Sequence, residues 1–225
     1  MDVETAVRSR RSIRAFLDTP VPRETIDAIL DAARYAPSGS NFQPWQVHVV
    51  AGELRDTIVS DALAAFEAGE IGADWAYYPD PIPEPYRARR RATGWGLYSL
   101  LGIEKGDRAA SKRQHARNFE LFGAPVVLFF FIDKRLELGS WLDYGMFLQS
   151  IMLLARAQGL HTCAQASWPE LPHVVRRHLP VTDAEELVCG MSLGYADPDA
   201  SVNDYQPERE PVDGFTRYYG FEAGS

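Results

Sequence analysis

An almost wholly apolar run from Pro125 to Ile132 constrains the fold more than any other stretch of this sequence. It contains Val-Val-Leu-Phe-Phe-Phe without a polar residue that could face solvent. A strand of this composition needs apolar cover on both faces, so we expect it to be central in its sheet. The chain of 225 residues is long enough to bury such a core within one domain, which we place at 1–225.

Shorter β-branched runs predict further strands at Gln46–Ala51, His161–Ala166 and Glu186–Tyr195. Apolar residues at helical spacing, together with capping residues, predict the helices. These are a first helix capped by Asp2, one opened by Pro22, then Glu53–Ala68, Tyr86–Leu101, Asp107–Phe122, Trp141–Ala157 and Pro169–Arg177. The elements lack a strict βαβ rhythm, and no Gly-x-Gly-x-x-Gly follows a strand, which argues against a dinucleotide-binding Rossmann domain.

Composition limits the partners. A net charge of -8 argues against general affinity for nucleic acid or an anionic membrane, so any anion site must be local. Charged residues interrupt the most apolar helix, Trp141–Ala157, so its continuous apolar run is too short to span a bilayer. The N-terminal residues do not have the pattern of a secretory signal. We expect a soluble cytoplasmic protein with reduced, packed Cys163 and Cys189. The scattered histidines predict no metal site.

Two polar stretches are candidate binding elements. The loop Tyr35–Trp45 combines prolines and Gly39 with short polar side chains, which suits a flat ligand, although a capped turn would have the same composition. The run Arg8–Arg14 offers guanidinium groups for phosphate oxygens, although such a run is often a solvated helix face. Neither pattern alone separates its two interpretations.

A proline-rich and aromatic stretch from Gly69 to Pro85 lacks any periodicity. Such an excursion is typical of a lid or binding loop, or equally of a flexible surface insertion. Together with the helix that follows, we take about 69–105 as a lid. A polar tail with several aromatic residues, at about 197–225, is expected to dock as a C-terminal arm.

Three separated signals agree with one family: Arg10-Arg11-Ser12-Ile13-Arg14, the stretch Ala36–Trp45, and Asn203 with Arg209 before Pro211. With these signals in this order, the whole chain resembles the FMN-dependent nitroreductase family, in its nitrobenzoate reductase-like branch. The resemblance implies an α+β fold with a mixed central sheet flanked by helices. It also implies an intertwined homodimer with an active site shared between subunits.

The resemblance also assigns cofactor residues. Phosphate contacts fall on Arg10, Arg11, Ser12, Arg14 and Arg209. The isoalloxazine ring would meet a partner loop of Pro37, Ser38, Gly39 and Ser40, with Asn41 and Gln43 nearby. The region of flavin N5 would meet Gln165, Ala166 and Ser167.

The implied activity is two-step hydride exchange, in which NADH or NADPH reduces FMN and an aromatic acceptor, nitroaromatic or quinone, reoxidises it. No side chain is needed as a nucleophile, and the sequence identifies no proton donor. Tyr86 and Arg90 would touch the acceptor, and Arg90 would favour an aromatic acid. Alternatives are a reductive dehalogenase, a flavin-fragmenting relative, a non-enzymatic flavin carrier and a helical anion-binding protein.

Overall fold

The computed structural model describes residues 1–221, so residues 222–225 of the expected C-terminal arm lie outside the described residues. The fold is α+β, as expected, with one sheet of four strands in the order β1-β2-β4-β3. The strands are β1 (Gln46–Ala51), β2 (Val126–Asp133), β3 (His161–Gln165) and β4 (Glu185–Gly194). Every residue of β2 except the last is buried, which confirms the prediction that the apolar run is central.

The apolar run is explained by two separate cores, one on each face of the sheet. Val127, Phe129 and Phe131 of β2 point into one cluster of buried side chains. The alternate residues Leu128, Phe130 and Ile132 point into the other, which includes Tyr144 and Phe147. Because both faces are covered, neither set of side chains can be polar.

The expected sheet was mixed, with both parallel and antiparallel pairing. Within residues 1–221, parallel pairing is limited to one isolated bridge. All three strand pairs of the sheet are antiparallel. The parallel bridge joins Ser12 to Thr162, and Ile13 N donates a hydrogen bond of 3.1 Å to Thr162 O. Since β3 is an edge strand, this bridge fixes the arginine run against the free edge of the sheet.

The helices enclose this sheet. They are α1 (Val3–Ser9), α2 (Arg23–Ala33), α3 (Gly52–Ala68), α4 (Tyr86–Leu100), α5 (Arg108–Ala116), α6 (Leu138–Ala157), α7 (Pro172–His178) and α8 (Val212–Phe215). Asp2 caps α1 as predicted, accepting a bond of 2.9 Å from Thr5 N. Within residues 1–221, no helix has the length and hydropathy required to cross a membrane.

Three helix predictions were wrong at one or both ends, among them the one for Trp141–Ala157, because α6 already starts at Leu138. The helix expected over Asp107–Phe122 is α5, which stops at Ala116, because Phe119, Leu121 and Phe122 all turn into the core and cannot share one helical face. Phe122 is left with a φ of 54° in a 3₁₀ turn. The helix expected from Pro169 starts at Pro172, after a 3₁₀ turn over Trp168–Glu170 that buries Trp168.

The stretch 69–85 forms neither helix nor strand, yet it is tied to the rest of the molecule. Trp75 Nε1 donates to Leu187 O at 2.9 Å, and Gly72 N donates to Glu170 O at 2.9 Å. These bonds hold the excursion over the edge of the sheet near β3. The helix α4 that follows has no buried residue, so it lies on the surface as a separate cover.

Candidate functional site

The arginine run is held in place by Asn203, which is almost completely buried. Its Oδ1 accepts bonds from Arg14 N at 2.8 Å and Ala15 N at 3.2 Å. Its Nδ2 donates to Ala15 O at 2.8 Å and to Asp197 O at 3.0 Å. A single amide side chain thereby fastens the beginning of the C-terminal arm to the N-terminal motif.

A cavity of about 450 Å³ next to this clamp is strongly basic, and we call it the arginine cavity. Its lining includes Arg8, Arg10, Arg11 and Arg209, with Gln149, and no carboxylate from the described part of the chain. Burial lowers the pKa of Arg10, and the neighbouring charge of Arg209 lowers it further. Positive charges collected in this way favour an anion, and guanidinium groups match phosphate oxygens.

A second cavity, of about 720 Å³, opens on the other side of the motif, and we call it the aromatic cavity. Three groups of residues form its wall: the motif and the end of β3, the excursion with α4, and the end of α5 with the turn before α7. The lining includes Arg14, Cys163, Gln165, Ala166 and Ser167, then Trp75, Tyr77, Tyr78 and Arg90, then His115, Asn118, Pro169 and Glu170. Its size suits a planar aromatic ligand.

Ser167 carries an unsatisfied polar atom in the wall of the aromatic cavity. Its Oγ is buried and has no hydrogen-bond partner among residues 1–221. An unpaired buried hydroxyl costs about 1–3 kcal/mol, so such groups are usually satisfied by something else.

Gln165, by contrast, does not present its side chain to the cavity. It is only 2% exposed; its Oε1 accepts from Ser192 Oγ at 2.7 Å and its Nε2 donates to Asn118 O. The expected contribution of Gln165 to a ligand is therefore limited to its backbone. Its side chain instead ties β3 to β4 and to the end of α5.

Cys163 lines the aromatic cavity and lies close to the arginine motif. Burial raises the pKa of its thiol to about 11, against the opposing effects of Arg14, Ser12 and Arg10. Ser12 lines neither cavity but lies against this thiol, between Arg10 on one side and Arg14 on the other. The motif thus forms the partition between an anion site and an aromatic site.

The polar loop is a short 3₁₀ turn over Gly39–Asn41 and carries backbone strain. Ser40, Asn41 and Gln43 have φ values of 50°, 59° and 49°, which non-glycine residues rarely adopt. Gly39 N donates to the Asp143 carboxylate at 3.0 Å, and Ser38 Oγ accepts from Gln43 N at 3.0 Å. Strain held by such bonds is typical of ligand clamps. None of residues 37–43 lines either cavity of its own chain.

The two predicted acceptor residues are placed differently. Arg90 lines the aromatic cavity, with its guanidinium carbon 4.9 Å from the centre of the Tyr78 ring. Tyr86 is 61% exposed and is absent from that lining. Four residues separate them on α4, but the guanidinium of Arg90 extends toward the excursion while the Tyr86 ring remains at the surface.

Sequence reasoning missed several residues of the aromatic cavity. The aromatic side chains of the excursion were noticed without a role; Trp75 packs edge-on to Trp141 at 4.9 Å and Tyr77 packs on Tyr78 at 4.6 Å. His115 and Asn118 were assigned to a helix and to no site. In the sequence, the only sign that the aromatic residues have a role in a site was their density within an irregular stretch. No sequence pattern marked His115 as a site residue.

Known proteins resemble this chain over nearly its whole length. The model of the nitroreductase family matches residues 7–195. A 4-nitrobenzoate reductase from Pseudomonas putida is 46% identical over 222 residues, 98% of this chain and 97% of that protein. Nitrobenzene nitroreductase from Ectopseudomonas oleovorans is 40% identical over 96% of each chain. The solved FMN and NADPH-dependent nitroreductase NfnB from Sphigopyxis sp. strain HMH superimposes with a TM-score of 0.94 at 38% identity, covering 98% of this chain and 100% of that one.

Proposed function

This chain belongs to the nitroreductase family, and on that premise we propose that it is an FMN-dependent NAD(P)H oxidoreductase that reduces nitroaromatic compounds and related aromatic or quinone acceptors. The activity supplied by bound FMN is hydride exchange between a pyridine nucleotide and the acceptor. The protein works in the cytoplasm, where both nucleotides are abundant.

The observation that carries the proposal is that one short motif contributes Arg10 and Arg11 to the arginine cavity and Arg14 to the aromatic cavity. FMN has one dianionic end and one planar end with polar edges, so its two ends suit the two cavities. We assign the phosphate to Arg10, Arg11 and Arg209, with Ser12 beside them in the motif. The planar end belongs in the aromatic cavity beside Arg14, Ser167, Ala166 and the backbone of Gln165.

The strained loop completes the site of a second copy of the chain. Residues 37–43 lie away from both cavities of their own chain, although their strain indicates a binding role. We therefore propose an intertwined homodimer in which Pro37, Ser38, Gly39 and Ser40, with Asn41 and Gln43, contact the flavin of the partner. Leu138 and Leu142 of α6, 83% and 71% exposed, give apolar surface for that association.

The acceptor is held by the lid formed by 69–105, with Arg90 as its charged contact. Among residues 1–221, Arg90 makes no ion pair, whereas Arg87 and Arg91 pair with Glu84 and Arg89 pairs with Glu210. A guanidinium stacked on Tyr78 and free of carboxylates can receive an aryl carboxylate. The acceptor we favour is a nitrobenzoate, and Tyr86 would contact it only after movement of α4.

Steady-state turnover tests the proposal. The purified protein is incubated with NADH or NADPH and 4-nitrobenzoate, and both nucleotide oxidation and nitro-group loss are followed. We expect stoichiometric loss of the nitro group with nucleotide oxidation, and no reaction with benzoate, which has the same carboxylate but nothing to reduce. Nucleotide oxidation without any loss of the nitro group would contradict the proposal.

A further inference from the structure

Reduction of a nitro group consumes protons as well as electrons, and the aromatic cavity contains a group placed to supply them. We propose that His115, held by Glu170, is the acid that protonates the oxygen of the bound nitro group. This inference rests on the proposed function. It assigns a proton-donating residue, which hydride exchange through a flavin does not by itself require.

His115 and Glu170 both line the aromatic cavity, although they come from different elements, α5 and the turn before α7. Nε2 of His115 lies 3.6 Å from Oε2 of Glu170, and their side chains are 41% and 37% exposed. The imidazole ring is packed against Phe66 at 5.4 Å and Phe119 at 6.0 Å. It is thus fixed on its apolar side and accessible from the cavity, as a proton donor must be.

Two links set this pair beside Ser167, the group assigned to the planar end of the cofactor. Glu170 N donates to Ser167 O at 3.0 Å across a 3₁₀ turn, in which side chains three residues apart are eclipsed. Asn118 Nδ2 donates to His115 O at 2.9 Å, and Asn118 O accepts from Gln165. The histidine is therefore tied to the end of β3 on both sides.

Two other ionisable groups in this wall, Cys163 and Tyr77, are poorly suited to the task. Burial raises the pKa of Cys163 to about 11 and also raises the pKa of Tyr77, so both hold their protons firmly. Histidine is the side-chain type that exchanges protons near neutral pH, and a carboxylate partner orients its ring.

A nitro group becomes a nitroso group by taking up one hydride equivalent and one proton, and it releases one water. One N–O bond breaks, and the oxygen that leaves carries both hydrogens. Because Nε2 of His115 faces Glu170, the ring gives the proton to this oxygen from Nδ1. The imidazole is protonated again from solvent while Glu170 holds it in position.

Reoxidation of the reduced holoprotein separates proton supply from electron transfer. The protein is reduced under nitrogen and then mixed with 4-nitrobenzoate or with ferricyanide, which accepts electrons without a proton. For His115→Gln we expect reoxidation by nitrobenzoate to slow about 100-fold, the size of a general-acid contribution, and reoxidation by ferricyanide to stay within about 2-fold of wild type. Glu170→Gln should slow the nitrobenzoate reaction less, since it only positions the ring.

His173→Gln is a matched control, because His173 forms a similar pair with Glu70, at 3.8 Å, outside the aromatic cavity. It should leave both rates unchanged. An unchanged nitrobenzoate rate in His115→Gln would overturn the inference, as would an equal loss of both rates. If wild-type protein is not reoxidised by nitrobenzoate at all, the proposed function itself fails and this inference falls with it.

A second readout does not depend on turnover. Imidazole nitrogen resonances are recorded for oxidised holoprotein, which cannot react without a reductant, before and after addition of 4-nitrobenzoate. The resonance missing from His115→Gln should shift on addition, and the one missing from His173→Gln should not. Absence of a shift at His115 at saturating nitrobenzoate would contradict direct contact with the acceptor.

Discussion

The ring of Tyr205 fills a notch on α4 that exists only because residue 96 is glycine. A Cβ added to Gly96 would lie 2.7 Å from Cε2 of the tyrosine, too close for any real contact. Tyr205 Oη donates to Thr93 O at 3.0 Å, and Arg89 pairs with Glu210 at 2.7 Å. These contacts join the C-terminal arm, which carries Arg209, the residue we propose as a phosphate contact, to the helix that carries Arg90.

Gly96→Ala should therefore detach the arm from α4. We expect faster proteolytic cleavage of the arm and weaker FMN binding, because Arg209 would lose its support. Gly94→Ala is the matched control, since nothing lies within 4 Å of a Cβ at that position on the same helix. That variant should be neutral or more stable by about 0.5–1 kcal/mol, since alanine favours a helix over glycine. Equal behaviour of the two variants would refute the coupling.

The arginine cavity should recognise the phosphate and not the ring. Arg10→Gln removes one charge-assisted contact, so the dissociation constant of FMN should rise about 10- to 100-fold. Riboflavin lacks the phosphate, and its affinity should change less than about 2-fold. Titration of flavin-free protein with each compound measures both, and Arg23→Gln, at an exposed position on α2, serves as the control. A loss of affinity that is the same for both flavins would place the phosphate elsewhere.

Arg90 should decide between charged and uncharged acceptors. Arg90→Met keeps much of the side-chain length but removes the cation, so kcat/KM for 4-nitrobenzoate should fall at least about 10-fold while that for nitrobenzene stays nearly constant. Arg87→Met, on the same helix but paired with Glu84, should change neither value. If both acceptors are affected alike by Arg90→Met, the arginine shapes the lid and does not read the carboxylate.

His161 should make stability fall in mild acid. Burial lowers its pKa to about 4, with help from Arg156 and Arg11, against an ordinary value of 6.5. Between these values the unfolded chain binds a proton that the folded chain does not, so stability decreases as pH falls from about 6.5 to about 4. The slope is at most about 1.4 kcal/mol per pH unit, and less for a half-buried group.

Urea unfolding of flavin-free protein across that range measures this effect. The variant His161→Gln lacks the titrating group, so it should lose less stability than wild type over the same pH interval. The carboxylates and the remaining histidines contribute equally to both proteins. Parallel stability curves for the two proteins would show that the imidazole titrates normally in the fold.

Prediction from sequence succeeded where one local pattern decides the outcome. The run before Ile132 had to be a central strand because six apolar residues in succession leave neither face polar. The bounds of β1 were predicted to the residue. The helix expected to reach Phe122 failed because its last apolar residues serve a tertiary turn with positive φ, which no helical periodicity records.

The residues of the candidate site were likewise predictable only where a local sequence motif contains them. Arg10, Arg14 and Ser167 belong to motifs and were named from the resemblance, and the structure places Arg10 in the arginine cavity and the other two in the aromatic cavity. His115, Tyr78 and Glu170 meet there from three segments distant in sequence, so their proximity exists only after folding. The side-chain direction of Gln165 could not be foreseen either, because it depends on Ser192 across the sheet.

The most direct test of the account is the visible spectrum of purified, desalted protein under nitrogen, recorded before and after addition of NADH or NADPH and then of 4-nitrobenzoate. We expect bound FMN whose absorbance bleaches with the nucleotide and returns in full with the nitro compound. A colourless protein that takes up no added FMN would contradict the cofactor assignment, and a yellow protein that neither nucleotide bleaches would contradict the oxidoreductase.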